Sequence, residues 1–596
     1  MKIETLRESG RKEQNMSHYS GSARKDTAPT VIPDSLVLFG ETGRLAANIS
    51  ANWLMDIRES NPAILDMFRD RDVLPYRDLL PWSGEFAGKH ITGAYYIWLL
   101  TRSDELYRST VSFIDEMLAC QAEDGYLGCF AKECRLTGAF SQNPAASGCT
   151  WDAWNHYHIM TGLLLWYGLT GREDYKAVLL KIADLFLASF YDGKPSLASI
   201  GSTEMNLAPY HIFVQLYELT GDEKYLYFAK KIEGDLSRDD AGDYIGTSLR
   251  GVEFYRCPKP RWESLHTILG IAEMYAATGD VTYLKSARQI TESILRTDVH
   301  NTGAFSTDEQ AIGNPYTNSN IETCCVVAFD ALASRIAALT GEKTLLDFLE
   351  LAHYNAVLGS FSPSGRWSTY NTPMEGEKCA NTHSISFQCR PGSPQLNCCS
   401  VNAPRGVGQC ADWMFTLSDG MLCVNFYEPL EADFGDTKLK IESVYPAPGD
   451  IRLTLSGACR PVALRIPGWS KKARVTENGT ERDAAPGTYE KIGPWNGSVT
   501  VVLSLDFSPY YAAGGLGYAG KTSVYSGPVL YGADASRNPS LDVRALPDLA
   551  KEALDAFLPA LDKSGAILWH IGEITLCDFY HLGQSGSSYR TWLSVR

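Results

Sequence analysis

Leu219-Thr220-Gly221-Asp222 is one instance of a phrase that this chain repeats: an apolar helical stretch, Thr-Gly or a near equivalent, an acid, then a second helical period. The others are Leu100-Thr101-Arg102-Ser103-Asp104, Leu169-Thr170-Gly171-Arg172-Glu173, Ala277-Thr278-Gly279-Asp280 and Leu339-Thr340-Gly341-Glu342, spaced 50 to 69 residues apart. Glycine suits the left-handed residue that ends a helix, and the acid suits the first turn of the next. Beyond the turn the period stays helical: Tyr225, Phe228, Ala229 and Ile232 share a face, as do Tyr283, Ala287 and Ile290. Five helical hairpins, with room for a sixth near residues 40–70, predict a closed (α/α)6 barrel. An open solenoid is the alternative, but irregular spacing and long loops suit a ring whose loops gather at one mouth.

Past about residue 415 the period changes to two. Ile451, Leu453 and Leu455 alternate with polar residues, as do Val499, Val501 and Leu503, between Gly, Pro and Asn turns. The fold class read here is mainly α with β: residues 31–415 as the barrel and 416–596 as a β-sandwich region of one or more domains, interrupted by one helix near Pro547 to Leu558. The segment Ser35-Leu36-Val37-Leu38-Phe39 reads as a strand that joins the sandwich. Residues 1–30 read as a disordered tail, within which Met16 offers a second start.

With 596 residues and a net charge of −16, the chain is too long for one core and too acidic to favour nucleic acid or an anionic membrane. No apolar run is read as membrane-spanning, and the N-terminus lacks the apolar segment of a secretory signal, so a cytoplasmic location is expected. In that reducing setting the fifteen cysteines are not expected to form a disulfide framework. Cys120, Cys257, Cys410, Cys423 and Cys459 read as small buried hydrophobes.

Two adjacent pairs stand apart, Glu322-Thr323-Cys324-Cys325 and Asn397-Cys398-Cys399. The first opens a helix, with Ser319 and Asn320 as candidate caps, and a helix N-terminus favours a thiolate. The second lies in a Gly/Pro/Asn-rich stretch read as a loop. Three sulfurs and a carboxylate can complete a tetrahedral zinc site; the plainer reading is inert buried cysteines. A second cluster, Trp151-Asp152-Ala153-Trp154-Asn155-His156-Tyr157-His158, offers aromatic faces for sugar rings and His or Asn for hydroxyls. Trp154, His156, His158, His266, Glu85 and Tyr370 are the candidate substrate contacts. The plainer reading is a helix seam with satisfied histidines, and Glu85 as a cap.

Asp124-Gly125-Tyr126-Leu127, Tyr157-His158-Ile159, Glu322-Thr323-Cys324, Tyr354-Asn355, Cys398-Cys399 with Asn402 and Arg405, and Leu464-Arg465-Ile466-Pro467-Gly468-Trp469 together resemble the β-L-arabinofuranosidase family of glycoside hydrolases, family 127. The resemblance runs from about Leu38 to Tyr531 and is that of a divergent member. It implies an (α/α)6 barrel with appended β-sandwiches, retaining hydrolysis of an L-arabinofuranoside or related plant or bacterial glycan sugar, and Zn2+ on Glu322, Cys324, Cys398 and Cys399. It also implies Cys398 as nucleophile and sugar-contacting histidines near His158 and His266. Two departures border the sugar pocket. The loop that carries the family's acid/base is short here, Thr307-Asp308-Glu309-Gln310-Ala311-Ile312-Gly313, with Glu309 the first candidate and Asp308 the next. The stretch after Cys399 lacks the family's proline-rich continuation.

A retaining mechanism would have Cys398 attack while Glu309 first protonates the leaving oxygen and then activates water. The rivals are a sugar epimerase or lyase on the same barrel, and a non-catalytic carbohydrate-binding protein with structural zinc. A carbohydrate is the expected partner; a homodimer is an assembly that the sequence leaves open.

Overall fold

The computed structural model describes residues 26–457 and 460–596. Twelve helices build the barrel. Six form the inner ring: α2 (Glu85–Thr101), α4 (Asp152–Thr170), α6 (Pro209–Thr220), α8 (Ser264–Thr278), α10 (Thr323–Thr340) and α12 (Cys398–Gly408). Each packs on the next, and α12 closes on α2. The outer layer is α1 (Glu41–Ile49), α3 (Asp104–Leu118), α5 (Glu173–Ser189), α7 (Glu223–Leu236), α9 (Val281–Thr297) and α11 (Lys343–Ala352). The inner helices are buried almost all round, whereas α3, α9 and α11 bury one stripe and leave the other face to water.

The five repeated phrases are the turns of the barrel floor. Gly171, Gly221, Gly279 and Gly341 end their helices at φ between 65° and 79°, and Arg102 takes the same left-handed conformation without glycine. The threonine has a role that the sequence reading did not assign. In all five turns its hydroxyl donates to the carbonyl one turn back and accepts the N–H two residues on, as in Thr220 to Leu216 O (2.7 Å) and Asp222 N to Thr220 (3.1 Å). It thus satisfies a backbone donor that the left-handed turn would leave open. Asp222 and Asp280 then cap the next helix.

The sixth hairpin is not where the spacing put it. Residues 40–70 supply the outer helix α1 and short helical pieces, and the inner partner is α12, more than 300 residues later. The stretch holding Cys398 and Cys399, read as a loop, is therefore the first turn of an inner helix. Asn397 caps it: its side chain accepts from Ser400 N, and the Ser400 hydroxyl accepts from Asn397 N. Of the segment read as a disordered tail, residues 1–25 lie outside the described residues, as does Cys459. Residues 26–30 are tied to the fold, Asp26 to Arg335 at 2.8 Å and Thr30 to Thr416 in a β-bridge. Among the described residues one helix, α10, has the length and mean hydropathy (1.5) to cross a membrane, where the sequence reading has no membrane-spanning run; 94% of it is buried inside the protein.

The β region holds two bodies. A seven-stranded sheet, which Ser35–Leu38 enters by pairing with Leu430–Asp433, packs with a four-stranded sheet through Leu453, Leu455, Val501, Val462 and Leu464. A further sheet spans Tyr510–Arg590 with its own core around Tyr531, Trp569 and Leu576. Two buried polar ties fasten both to the barrel. Arg465 pairs with Asp347 and Glu350 (both 2.6 Å), and Asn355 donates to Pro528 O and accepts from Leu530 N (both 2.8 Å).

Candidate active site and metal centre

α10 and α12 are neighbours in the ring, and both begin at the same end of the barrel. Glu322 occupies the N-cap position of α10, displacing Ser319 and Asn320 from that role, and Cys324 lies in the first turn; Cys398 and Cys399 open α12. Two helix N-termini thus converge on one spot, where their unpaired N–H groups favour negative charge. The Sγ atoms of Cys324 and Cys399 are 3.6 Å apart and those of Cys398 and Cys399 3.7 Å. Glu322 Oε1 lies 3.6 Å from Cys399 Sγ and 3.8 Å from Cys398 Sγ. A tetrahedron with metal–sulfur bonds of about 2.3 Å has edges of about 3.8 Å, close to these four spacings, and all four ligand atoms lie within 4.8 Å of one another. All four residues are buried, and the group could hold a metal ion.

Burial opposes ionisation of Cys324, but hydrogen bonds from Cys398 and Cys399 and the charge of Lys89 outweigh it and hold this thiol well below its ordinary range. The bond to Cys324 pushes Cys398 up, and burial followed by the same neighbour pushes Cys399 up. Without a metal the cluster therefore keeps protons that a cation would expel. Cys325, beside the group, bonds Glu322 Oε2 at 3.5 Å.

A polar ring surrounds the cluster. Thr307 and Gln310 exchange backbone hydrogen bonds (3.0 Å each way), with Asp308 and Glu309 at φ 48° and 66° between them, which makes a tight two-residue turn with two left-handed corners. The turn points its two acids apart. Asp308 accepts from Ser319 (2.7 and 2.8 Å) and Asn320 N (3.3 Å) on the outside. Glu309 accepts from Tyr370 Oη (2.8 Å) and Arg261 Nη2 (2.6 Å). Arg261 also forks onto Glu263 at 2.6 and 2.9 Å, and burial pushes the Glu263 carboxyl up to about 7 in spite of that partner.

Across the site, Lys89 Nζ lies 2.8 Å from Glu85 Oε1 and over the rings of Trp154 and Trp262 at 5.7 and 5.5 Å. Burial works against its charge, but Glu85, Cys324 and Cys398 keep it protonated. Glu85 also accepts from Trp154 Nε1, and its side chain does not cap α2. His158 and His266 stand edge-on to Trp154, with centroids 4.4 and 4.9 Å away, and the Nε2 of each has no protein partner. Burial holds both rings far below the usual imidazole range, hence neutral.

His156 does not join them. Its Nδ1 is 2.8 Å from Asp152 O, its Nε2 meets Leu127 N at 3.3 Å, and it packs on Tyr126 and Phe186. It is a satisfied core histidine that props the Asp124–Gly128 loop, one helical step from the face that His158 uses. The sequence reading gave no role to Lys89, Arg261 or Glu263. The signal for Lys89 was its i,i+4 spacing from Glu85; the signal for Arg261 was Arg-x-Glu before a helix.

Residues 57–411 match the family model of the Beta-L-arabinofuranosidase, GH127 catalytic domain, and residues 421–507 that of the GH127 middle domain. The chain belongs to glycoside hydrolase family 127. This GH127 chain is similar along its length to a solved GH127 beta-arabinofuranosidase, at 21% identity with a TM-score of 0.75, covering 96% of this chain and 98% of that one. It is also similar to a GH127 beta-L-arabinofuranosidase from Geobacillus stearothermophilus T6, at 17% identity, TM-score 0.74 and coverage of 94% and 100%. At those identities the likeness shows the fold. No curated protein matches the chain. Membership makes the protein a glycoside hydrolase of the β-L-arabinofuranosidase-like kind, with a carbohydrate as its substrate.

Proposed function

We propose that this GH127 member is a retaining exo-glycosidase for an L-arabinofuranoside or closely related sugar, with zinc on Glu322, Cys324, Cys398 and Cys399 and Cys398 as the attacking sulfur. The observation that carries the reading is the difference in access among the thiols: Cys398 keeps 7% of its surface, whereas Cys324 and Cys399 keep none. A donor set of three sulfurs and one carboxylate in tetrahedral array suits zinc better than a hard cation. Bound there, zinc supplies the positive charge that keeps the sulfurs as thiolates at neutral pH.

The residues of the chain do the rest. Cys398 Sγ attacks the anomeric carbon and the bond to the leaving oxygen breaks, leaving a thioglycosyl enzyme; Glu309 gives that oxygen its proton. Glu309 then takes a proton from water, the water oxygen bonds the anomeric carbon, and the C–S bond breaks to restore the thiolate. Tyr370 and Arg261 fix the Glu309 carboxyl, and Asp308, turned outward onto Ser319, is the poorer candidate. Glu263 shares Arg261 with Glu309, and burial raises the Glu263 carboxyl to about 7, which keeps a proton on Glu263, beside Glu309, near neutral pH. Trp154, His158 and His266 offer an aromatic edge and two free ring nitrogens to sugar hydroxyls. The test is a panel of aryl furanosides and pyranosides on the purified enzyme, with the anomer of the first product read by NMR. Retention on a furanoside supports the proposal; inversion, or an unsaturated or epimerised product, contradicts it.

A further inference from the structure

A cavity of about 200 Å3 lies beside the first turn of α12, where Ser400 forms part of its wall. Ser400 is two residues past Cys398, and positions i and i+2 of a helix face different ways, so the cavity lies on another side of α12 from the thiols. Its walls are pinned. The π-helical turn Ser50–Leu54, which follows α1, supplies Trp53, and the segment 361–368, closed by a bridge between Phe361 and Ser368, supplies Arg366 and Trp367. Asn48 donates to Pro363 O and Asn52 to Ser364 O (both 2.8 Å), which holds that segment against α1 and the turn after it. Asn381, also in the wall, donates to Ser368 Oγ and accepts from Asn397, the cap of α12 (both 3.0 Å).

The charge in the cavity is already engaged. Arg366 lies over the Trp53 ring at 5.4 Å, and its guanidinium reaches Asp56 (3.1 Å), Asn52 O (3.1 Å) and Gln395 Oε1 (2.7 Å). An anion would have to compete with Asp56 for that one guanidinium. The groups left open are neutral. Among the described residues the Gln395 amide N–H groups, the Thr382 hydroxyl and the Trp367 indole N–H have no protein partner, and the Trp367 ring is half-buried. A purely apolar guest would cut these groups off from water and leave them unpaired. Neutral donors and a hydroxyl around an aromatic face instead suit a neutral, hydroxyl-bearing ring, which sets its C–H face on the indole and its hydroxyls on the amide. Between the cavity and the barrel mouth runs the segment 381–397, whose Gln388 accepts from Cys398 N at 2.9 Å. A glycan with its terminal sugar at Cys398 has this segment to cross to reach Trp367.

We propose that the cavity is a second carbohydrate site, which takes a sugar residue of the substrate glycan remote from the bond that Cys398 attacks. This rests on the proposed function and deepens it: the natural substrate is an oligosaccharide or polysaccharide chain and not a single sugar on a small aglycone. The test sets L-arabinofuranosyl oligosaccharides of increasing length beside an aryl L-arabinofuranoside. In Trp367→Ala the ratio of kcat/KM for the longest oligosaccharide to that for the aryl furanoside should fall roughly tenfold, through KM, as a sugar–aromatic stack is lost. Ala380→Phe, which fills the cavity and removes no polar group, should lower the same ratio, and the melting temperature shows that each variant is folded. Calorimetric titration of the full-length, zinc-loaded Cys398→Ser protein should show affinity rising with oligosaccharide length, and Trp367→Ala in that background should erase the rise. An unchanged ratio in Trp367→Ala, or an affinity that does not depend on length, would overturn the proposal. A wild-type protein that cleaves no aryl furanoside would instead contradict the proposed function, and the titration, which needs no turnover, would still decide the second site.

Discussion

The two ends of the barrel are built on opposite plans. At the floor, five turns repeat one local device: a left-handed residue, a threonine that bonds one turn back and two residues on, and an acid or serine that starts the next helix. At the mouth no two connections are alike, and the residues that meet there come from five inner helices and three loops. The metal group joins α10 to α12, Glu309 comes from a strained turn before α10, and Lys89 and His158 come from α2 and α4. Regular local bonds hold the ring together at one end. At the other, long connections carry strain and buried charge into the site, as in the paired left-handed corners at Asp308 and Glu309.

That division also governs the predictions, because changes at the mouth should alter chemistry and changes at the floor only stability. The largest effect is expected for Cys398→Ser, a loss of about 10⁴-fold or more in kcat, since a serine hydroxyl stays protonated without a strong base. Steady-state assay beside metal analysis checks it; substantial activity with full metal occupancy would remove Cys398 from the attacking role. Cys399→Ser should act on the metal first, with lower zinc content and a lower melting temperature, and with activity returning in excess zinc. Metal uptake by stripped wild-type protein should release protons, which weakly buffered pH measurements detect. Glu309→Gln should lose about 10²- to 10⁴-fold on alkyl glycosides and much less on substrates with acidic leaving groups. Asp308→Asn should change both classes little and alike.

Smaller effects sharpen the contrast. Glu263 has its pKa raised by burial from the usual 4.5 to about 7, so the folded state holds a proton that the unfolded state has lost across that range. Its contribution to stability is full below about 4.5 and fades as pH rises through about 7. Glu263→Gln should remove that part of the pH slope in melting temperature, and an unchanged slope would contradict the assignment. Gly221→Ala at the floor should cost about 1–2 kcal/mol, the strain of a side chain in a left-handed position, with kcat intact.

The same division explains what the sequence disclosed. The floor was legible because each turn is written in four or five consecutive residues, and five copies fixed the barrel. The closing hairpin was not, because α12 carries Pro404 and two glycines and has its outer partner α1 at the other end of the chain. The metal residues stood out through their chemistry, although Cys398 and Cys399 read as loop; the Asn397–Ser400 cap was the local sign of a helix. His156 misled because it shares a cluster with His158, and i and i+2 on a helix face different ways. Lys89 and Arg261 each have a local partner, Glu85 and Glu263, but what brings them into the site is a second partner distant in sequence, the thiols and Glu309, and no local pattern states that pairing.

The central claim is that a sulfur of α12 forms the covalent bond to the sugar. A 2-deoxy-2-fluoro furanoside with a good leaving group, or a haloacetamide-bearing sugar analogue, should add one glycosyl-sized mass per chain to the zinc-loaded enzyme. Digestion and tandem mass spectrometry should place that mass on Cys398 and leave Cys399 bare. A label on Glu263, Glu85 or Glu309 in place of Cys398 would contradict the account and make the nucleophile a carboxylate.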